Sequence, residues 1–344
     1  MMQAPPCAVQ PRRNEPSDPT MPSLQRKALA AALLTAGGFT CYWTYLTINQ
    51  GRLLFDAHRR PPRDLPEGVS AYSHEVPGGL LRGYVYVARE SQEAQKADTV
   101  RDLLFYLPGR GEDVLDTMQH LAWLPQEVGF ATMDYRGLGH SDGRPSEAAA
   151  VADASQFLLH VRRAFPRTRV HVVGRSLGTG VAIQLADLQD FESLQLITPY
   201  DSLLEIVRKR FPLVPLRQLM RHHFDSISHC KKVVQSTKVL LAETDEVVPH
   251  ECSERLIAAW PGTVARETMP GTDHSTIIEH PETWRALAAF AQQVGQPGAA
   301  PAATSHAAPA RRETAPITAP IAAPIAAPMT APNGEASLPL AAPR

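Results

Sequence analysis

The chain has 344 residues, enough for one α/β domain of ordinary size with appended segments. Its formal net charge of −1 excludes the strongly basic surface that nucleic-acid binding requires. The four cysteines form neither a CxxC pair nor a metal-ligand spacing, so no metal site is predicted. For Cys230 and Cys252 two interpretations stay open: a disulfide in an oxidising compartment, or two unpaired structural thiols.

The N-terminal region predicts a membrane anchor. Residues 1–27 are rich in proline and polar side chains and are expected to be disordered, with Met21 as a second candidate start. Residues 28–48 carry no charge and end in a group of aromatic residues, a pattern typical of a transmembrane helix. We interpret them as an uncleaved anchor rather than a signal sequence, because no small-x-small cleavage site precedes Cys41.

The orientation of this anchor is only weakly indicated. Arginine and lysine residues precede and follow the span in nearly equal number, so the positive-inside rule is close to a tie. We expect the N-terminus in the cytoplasm and the main domain on the extracytoplasmic (periplasmic) side.

The C-terminal segment, residues 295–344, is dominated by alanine and proline. Proline recurs at every fourth position from Pro316 to Pro332. Such a segment has few side chains that can pack and no continuous helical N–H ladder, so it predicts a disordered, extended tail.

Between these segments, residues 52–294 alternate short apolar runs with helix-like stretches. The apolar runs predict strands at 83–88, 103–107, 128–134, 170–173, 194–197, 239–242 and 264–268. Helices are predicted at 147–165, 178–188 and 281–294, the first with Ser146 as its N-cap. This alternation favours an α/β fold with a mostly parallel, doubly wound sheet and helices on both faces.

The motif Gly174-Arg175-Ser176-Leu177-Gly178 lies directly between a predicted strand and a predicted helix. A nucleophilic serine needs its hydroxyl lifted clear of the sheet, on a turn too tight for side chains at the neighbouring positions. Glycines two positions before and after Ser176 remove those side chains. The motif and its context therefore make Ser176 the candidate nucleophile.

A serine hydroxyl is a weak nucleophile, so it needs a base that is itself oriented by an acid. His274 follows the last predicted strand, and Asp245 follows the strand before it, which gives the order serine, acid, histidine. Asp201, after the strand at 194–197, is the alternative acid. We favour Asp245 because its strand comes later in the chain.

Other candidates for the acid and the base have more ordinary interpretations. His250 is expected at a helix start, in a surface or capping role. His222, His223 and His229 lie in a helical excursion between strands, where a solvated or lid position is expected. Asp273 adjoins the candidate base and would point the wrong way to orient it.

Acyl transfer also needs hydrogen-bond donors for the oxyanion. The backbone N–H of Leu177, directly after the nucleophile, is the first candidate. The second is the backbone N–H of Arg110, in the glycine-containing loop after the strand at 103–107. Pro108 in the same loop has no N–H to donate.

Several further segments, in order along the chain, accompany these residues: 134–143, 198–202, 224–226, 245–249 and 271–274. Together with the Ser176 motif they resemble the α/β-hydrolase superfamily, most closely its serine-aminopeptidase-like branch. That branch includes bacterial membrane-anchored hydrolases and eukaryotic lipid and acyl-protein hydrolases. One departure is Pro108-Gly109-Arg110, where the family usually has His-Gly-Asn, so the contacts of this loop are expected to differ.

The resemblance implies a serine hydrolase that cleaves carboxylic ester or thioester bonds through an acyl-enzyme, with Ser176, Asp245 and His274 as the triad. It implies no metal and no organic cofactor. The expected partners are a small-molecule or lipid ester substrate and the membrane, through residues 28–48. A serine peptidase or aminopeptidase with the same triad is the alternative, and a non-catalytic binding module, which would need a broken triad, is a further one.

Overall fold

A computed structural model describes residues 23–88, 100–211 and 214–294. The chain divides into two compact units, the first ending at Ile48 and the second beginning at Asn49. The described part of the first unit belongs to helix α1 (Ser23–Phe55). The predicted disordered segments lie outside the described residues, apart from the last few residues of 1–27.

The predicted anchor, residues 28–48, forms part of α1. No helix in the described residues combines the length and the apolarity that a membrane span needs, so the structure gives no support to the anchor. The physical reason is composition, because 11 of these 21 residues are Ala, Gly or Thr. The extracytoplasmic location stays a prediction.

The second unit is built on an eight-stranded sheet in the order β1-β2-β4-β3-β5-β6-β7-β8. Its strands are β1 (Val69–Val76), β2 (Gly79–Tyr86), β3 (Asp102–Leu107), β4 (Val128–Met133), β5 (Arg169–Arg175), β6 (Ser193–Ile197), β7 (Ser236–Ala242) and β8 (Val264–Met269). The β1–β2 and β2–β4 pairs are antiparallel and all the other pairs are parallel. The predicted, mostly parallel sheet is thereby confirmed.

Helices cover both faces of this sheet. The α-helices that follow α1 in the described residues are α2 (Val114–Thr117), α3 (Glu147–Ala164), α4 (Leu177–Ala186), α5 (Leu203–Arg210), α6 (Leu216–Leu219), α7 (Ser226–Cys230), α8 (His250–Ala258) and α9 (Pro281–Val294). Ser146 caps α3 as predicted, its side chain accepting a hydrogen bond from the Ala149 N–H.

The central strand β3 shows why two layers of helices are needed. All six of its residues are buried, and successive side chains point to opposite faces. Leu103 and Phe105 pack in the core layer that contains α3 and α4. Leu104 and Tyr106 pack in the other layer, against α9. A strand that is apolar on both faces has to be covered on both.

The edge strand β1 and the two buried cysteines go beyond what the sequence predicts. The edge strand β1 was not predicted, because its alternation of exposed polar and half-buried residues is weak. Cys230 and Cys252 are buried free thiols, which resolves the open question in favour of unpaired cysteines.

The topology gathers the functional candidates at one edge of the sheet. β5, β7 and β8 run parallel, so the turns that follow them emerge on the same side. Ser176 follows β5, Asp245 follows β7, and His274 follows β8. Ligand sites of open α/β sheets form at this carboxyl edge.

Candidate active site

The nucleophile turn joins the end of β5 to the start of α4. Ser176 has a φ of +47° and a ψ of −117°, a strained combination for a residue with a side chain. Its backbone is held by a hydrogen bond from the Ser176 N–H to the Ile197 carbonyl oxygen, 2.9 Å long. The turn leaves the side chain partly exposed at the carboxyl edge of the sheet.

Both glycines of the motif are required by close packing. A Cβ at Gly174 would lie 2.6 Å from the Gly178 carbonyl oxygen. A Cβ at Gly178 would collide with the carbonyl oxygen of Leu107, at the end of β3. The turn therefore forms only with glycine at both positions, as the sequence motif predicts.

Three side chains meet at this turn in a hydrogen-bonded chain. His274 Nε2 lies 2.9 Å from Ser176 Oγ, and His274 Nδ1 lies 2.8 Å from Asp245 Oδ2. A carboxylate can only accept, so the network assigns the imidazole proton to Nδ1 and leaves Nε2 as the acceptor for the serine hydroxyl. The His274 side chain is 12% exposed and the Asp245 side chain 3%.

The carboxylate of Asp245 is fixed by its own loop. Its Oδ1 accepts hydrogen bonds from the backbone N–H groups of Val247 and Val248, at 3.0 and 2.7 Å. Its other oxygen is thereby turned toward His274. A further bond, from the Thr244 N–H to the Thr272 carbonyl oxygen, ties the loop of the acid to the loop of the base. The imidazole is thus oriented from two sides.

The loop after β3 lies beside the serine, since a Cβ on Gly109 would be 3.5 Å from the Ser176 Cβ. In the part of the chain that the structure describes, the backbone N–H groups of Leu177 and Arg110 donate no hydrogen bond. The structure thus leaves both predicted oxyanion donors available. The Arg110 side chain, 57% exposed, faces Asp56 at 3.4 Å.

The alternative acid is engaged elsewhere. Asp201 is buried, and its carboxylate forms an ion pair with Arg255 on α8. Asp273 accepts hydrogen bonds from the backbone N–H groups of Ser275 and Thr276, which shape its own turn. The structure brings neither carboxylate to the imidazole of His274.

The other histidines lie in separate networks. His250 begins α8, and its Nε2 lies 2.9 Å from the Ala242 carbonyl oxygen. The remaining three contact groups outside the triad: His222 the Glu147 N–H, His223 the Met220 carbonyl oxygen, and His229 the Asp187 carboxylate.

Two side chains at the site were not predicted. Glu112 lies in the loop after β3, and Arg175 directly precedes Ser176; they form an ion pair of 2.9 Å. Burial alone raises the pKa of Glu112, but Arg175 and hydrogen bonds from Thr117 and Gly109 lower it below its ordinary value. The only local signal was an acidic residue in a glycine-containing loop. In the described residues no group of three or more His, Cys, Asp or Glu side chains could hold a metal ion.

Comparison with known proteins agrees with this architecture. The family model described as serine aminopeptidase, S33, matches residues 98–198. An uncharacterised protein of Mycobacterium tuberculosis (strain H37Rv) is 36% identical over 144 residues, 41% of this chain and 51% of that protein. The chain thus spans about half the length of this relative.

Two further proteins are similar to this chain over more of its length. The lysophosphatidylserine lipase ABHD12 of Gallus gallus is 27% identical over 271 residues, 67% of this chain and 68% of that protein. The crystal structure of an α/β hydrolase from Vibrio vulnificus superposes with a TM-score of 0.54 at 19% identity, over 72% of this chain and 92% of that one. This protein has the α/β-hydrolase fold, and part of its sequence is similar to members of that superfamily.

Proposed function

We propose that this protein is a serine hydrolase that cleaves carboxylic esters or thioesters through an acyl-enzyme. The observation that carries the proposal is the hydrogen-bonded chain from Ser176 Oγ through His274 to Asp245. Nucleophile and base lie within hydrogen-bond reach, and a third group orients the base, which is the arrangement that activates a serine hydroxyl.

In the proposed reaction Ser176 Oγ attacks the carbonyl carbon of the ester, and its proton passes to His274 Nε2. Asp245 stabilises the imidazolium that forms. The backbone N–H groups of Leu177 and Arg110 hold the oxyanion of the tetrahedral intermediate. The bond to the leaving alcohol or thiol then breaks, and His274 returns the proton to it.

Water completes the cycle. It attacks the acyl carbon while His274 Nε2 takes one of its protons. Collapse of the second tetrahedral intermediate releases the carboxylic acid and returns a proton to Ser176 Oγ. No cofactor enters this scheme.

The proposal of a lipid-like acyl substrate has two supports. One is the similarity to a protein named as a lysophosphatidylserine lipase. The other is a pair of exposed apolar side chains on segments that contact the site. Leu53, whose carbonyl oxygen accepts from Arg110, is 44% exposed, and Val247, whose N–H donates to Asp245, is 55% exposed. Such side chains suit an acyl chain better than a charged peptide.

A serine aminopeptidase is the second candidate, favoured by the description of the matching family model. It uses the same triad, so the two candidates differ in the substrate that the pocket accepts. A non-catalytic binding module is not favoured by any of these contacts, since Ser176, His274 and Asp245 form one hydrogen-bonded chain.

The test is a panel of p-nitrophenyl esters, one acyl thioester and several aminoacyl p-nitroanilides. The acyl chains of the esters have about two to twelve carbons, which covers both short and long acyl pockets. We expect the wild-type chain to cleave the esters and Ser176→Ala to leave them intact. Faster cleavage of the anilides would favour the aminopeptidase. A folded wild-type chain that turns over none of them would sink the proposal.

A further inference from the structure

A buried ion pair links the loop after β3 to the nucleophile turn. Arg175 Nη1 lies 2.9 Å from Glu112 Oε2, and the two side chains are only 11% and 5% exposed. Glu112 also accepts hydrogen bonds from the Gly109 N–H at 2.7 Å, the Tyr106 hydroxyl at 2.7 Å and the Thr117 hydroxyl at 2.6 Å. Every acceptor position of this carboxylate is directed at a fixed group.

The same arginine also reaches the loop of the base. Arg175 Nη2 donates to the carbonyl oxygen of His274 at 3.0 Å. One guanidinium, directly before Ser176, therefore contacts both the loop that follows β3 and the residue that serves as the candidate base. Its planar set of donors allows two such contacts at fixed angles.

The contacts of Glu112 help to fix the position of the Arg110 N–H. The carboxylate holds the Gly109 N–H, and the Phe55 carbonyl oxygen holds the Gly111 N–H at 2.9 Å. The peptides on either side of the Arg110 N–H are thus anchored, whereas that N–H itself donates to no described group. This is the pattern expected of a donor kept ready for a ligand atom.

Stability alone gives little reason for this arrangement. A buried ion pair contributes little net stability, because the cost of desolvating both charges offsets their attraction, and apolar residues of similar volume often do as well. The pair instead fixes geometry, since a carboxylate that accepts four hydrogen bonds holds its donors in one arrangement.

We propose that Arg175 and Glu112 are positioning residues, which hold the Arg110 N–H and His274 in register with Ser176 Oγ. The inference rests on the proposed function and extends it from the triad to the support of the oxyanion loop. Neither side chain takes or gives a proton in the reaction.

The test uses full-length Arg175→Met and Glu112→Gln. Active sites are first counted by titration with a fluorophosphonate, and kcat and KM for a p-nitrophenyl ester are then expressed per active site. We expect kcat to fall roughly 10- to 100-fold, the scale of a misplaced catalytic group. KM should stay within about twofold, because ground-state binding is not affected.

A transition-state analogue separates positioning from simple damage. Binding of a trifluoromethyl ketone, which forms a hemiketal oxyanion on the serine, should weaken by the same factor as kcat/KM falls. Arg175→Lys keeps the charge but lacks the planar fork, so its kcat should lie between those of wild type and Arg175→Met. The double variant should be no slower than the slower single one, since the pair acts as a unit.

Arg169→Met is the matched control. Arg169 begins the strand that Arg175 ends, and it pairs with the buried Asp102 at the start of β3. Its loss should lower the melting temperature while kcat per active site stays within about twofold of wild type.

The inference is overturned if Arg175→Met and Glu112→Gln behave like this control, with fewer or less stable molecules but unchanged kcat and analogue affinity per active site. A folded wild type that neither reacts with the fluorophosphonate nor cleaves an ester overturns the proposed function, and the inference with it. In the first case the wild type is active and in the second it is not, so the two failures are distinct.

Discussion

Two hydrogen-bonded chains of serine, histidine and aspartate lie at opposite edges of the parallel part of the sheet. The one at the carboxyl edge consists of Ser176, His274 and Asp245, and the one at the amino edge consists of Ser193, His171 and Asp102. The distances in the two are alike: 2.9 and 2.8 Å in the first, 2.8 and 2.9 Å in the second. By residue type and bond length alone the two could not be told apart.

Their surroundings differ. His171 and Ser193 lie within β5 and β6, directly opposite each other in register, and both are fully buried. Asp102 is held in addition by two hydrogen bonds from Arg169. These side chains are hydrogen-bonded to one another. Because Ser193 is also fully buried, no ligand atom can reach its hydroxyl.

The carboxyl-edge chain is built on turns instead of strands. Ser176 is partly exposed, on a backbone with positive φ, and the nearby backbone N–H groups of Leu177 and Arg110 donate to no described group. The imidazoles are also reversed: Nε2 faces the serine at this edge, whereas Nδ1 faces it at the other. The comparison indicates that access, a strained turn and available oxyanion donors distinguish a candidate catalytic triad from a structural one.

The largest expected effect is the difference in kcat between the Ser176→Ala and Ser193→Ala variants. Ser176→Ala should lower kcat for a p-nitrophenyl ester by roughly 10⁴- to 10⁶-fold, because no nucleophile remains. Ser193→Ala should leave kcat per folded molecule unchanged. Steady-state assays at matched folded concentration, checked by circular dichroism, compare them. Equal losses in both variants would erase the proposed distinction.

The next largest effect is the difference in kcat between variants of the two candidate acids, Asp245 and Asp201. Asp245→Asn should lower kcat by roughly 10⁴-fold, since an amide favours the wrong imidazole tautomer. Asp201→Asn, which disturbs the ion pair with Arg255, should lower the melting temperature and leave kcat per active site nearly unchanged. If Asp201→Asn were the slower enzyme, the acid would have been assigned to the wrong residue.

The amino-edge chain should matter for stability. Burial raises the pKa of Asp102, but His171 and Arg169 lower it more, so the pKa lies below its ordinary value. Asp102→Asn should reduce the free energy of unfolding at neutral pH by about 3 kcal/mol, the low end for a broken buried pair because Arg169 is partly exposed. Urea unfolding measures this value.

The sign of the pH dependence follows from the lowered pKa. Asp102 contributes its stability above its unfolded pKa of about 4 and loses it as the pH falls through the lower folded value. The difference in unfolding free energy between wild type and Asp102→Asn should therefore be largest near neutrality and shrink below about pH 4. A difference that grew in acid would contradict this assignment.

The smallest expected effect is that of Arg110→Ala, in the loop that carries the second candidate oxyanion donor. Arg110→Ala removes an exposed guanidinium but keeps the backbone N–H, so kcat for a neutral ester should change by less than about threefold. Arg110→Pro, which removes the N–H, is the informative counterpart and should lose roughly 10²- to 10³-fold in kcat if the loop keeps its shape. Equal losses in both variants would point to the side chain rather than the backbone.

The carboxyl-edge chain could be predicted because each of its members follows a recognisable strand. Ser176 lies in a five-residue motif that spans the junction of β5 and α4, and the positions of Asp245 and His274 follow from their order along the chain. The parallel sheet was predictable for the same reason, since buried apolar runs alternate with helical stretches.

The remaining features depend on tertiary contacts that leave no local pattern. His171 meets Ser193 only through the strand register, which the sequence does not specify at the level of single residues. Glu112 and Arg175 are 63 positions apart. The predicted anchor has no support in the described residues, because residues 28–48 carry no charge but are rich in the weakly apolar Ala, Gly and Thr.

The most direct test of the account is the site of covalent modification by a fluorophosphonate. Full-length wild type, Ser176→Ala and Ser193→Ala are each treated, digested and mapped by mass spectrometry. We predict a single adduct on Ser176 in the wild type and in Ser193→Ala, and none in Ser176→Ala. An adduct on Ser193, or labelling that persists in Ser176→Ala, would contradict the assignment of the carboxyl-edge chain as the catalytic one.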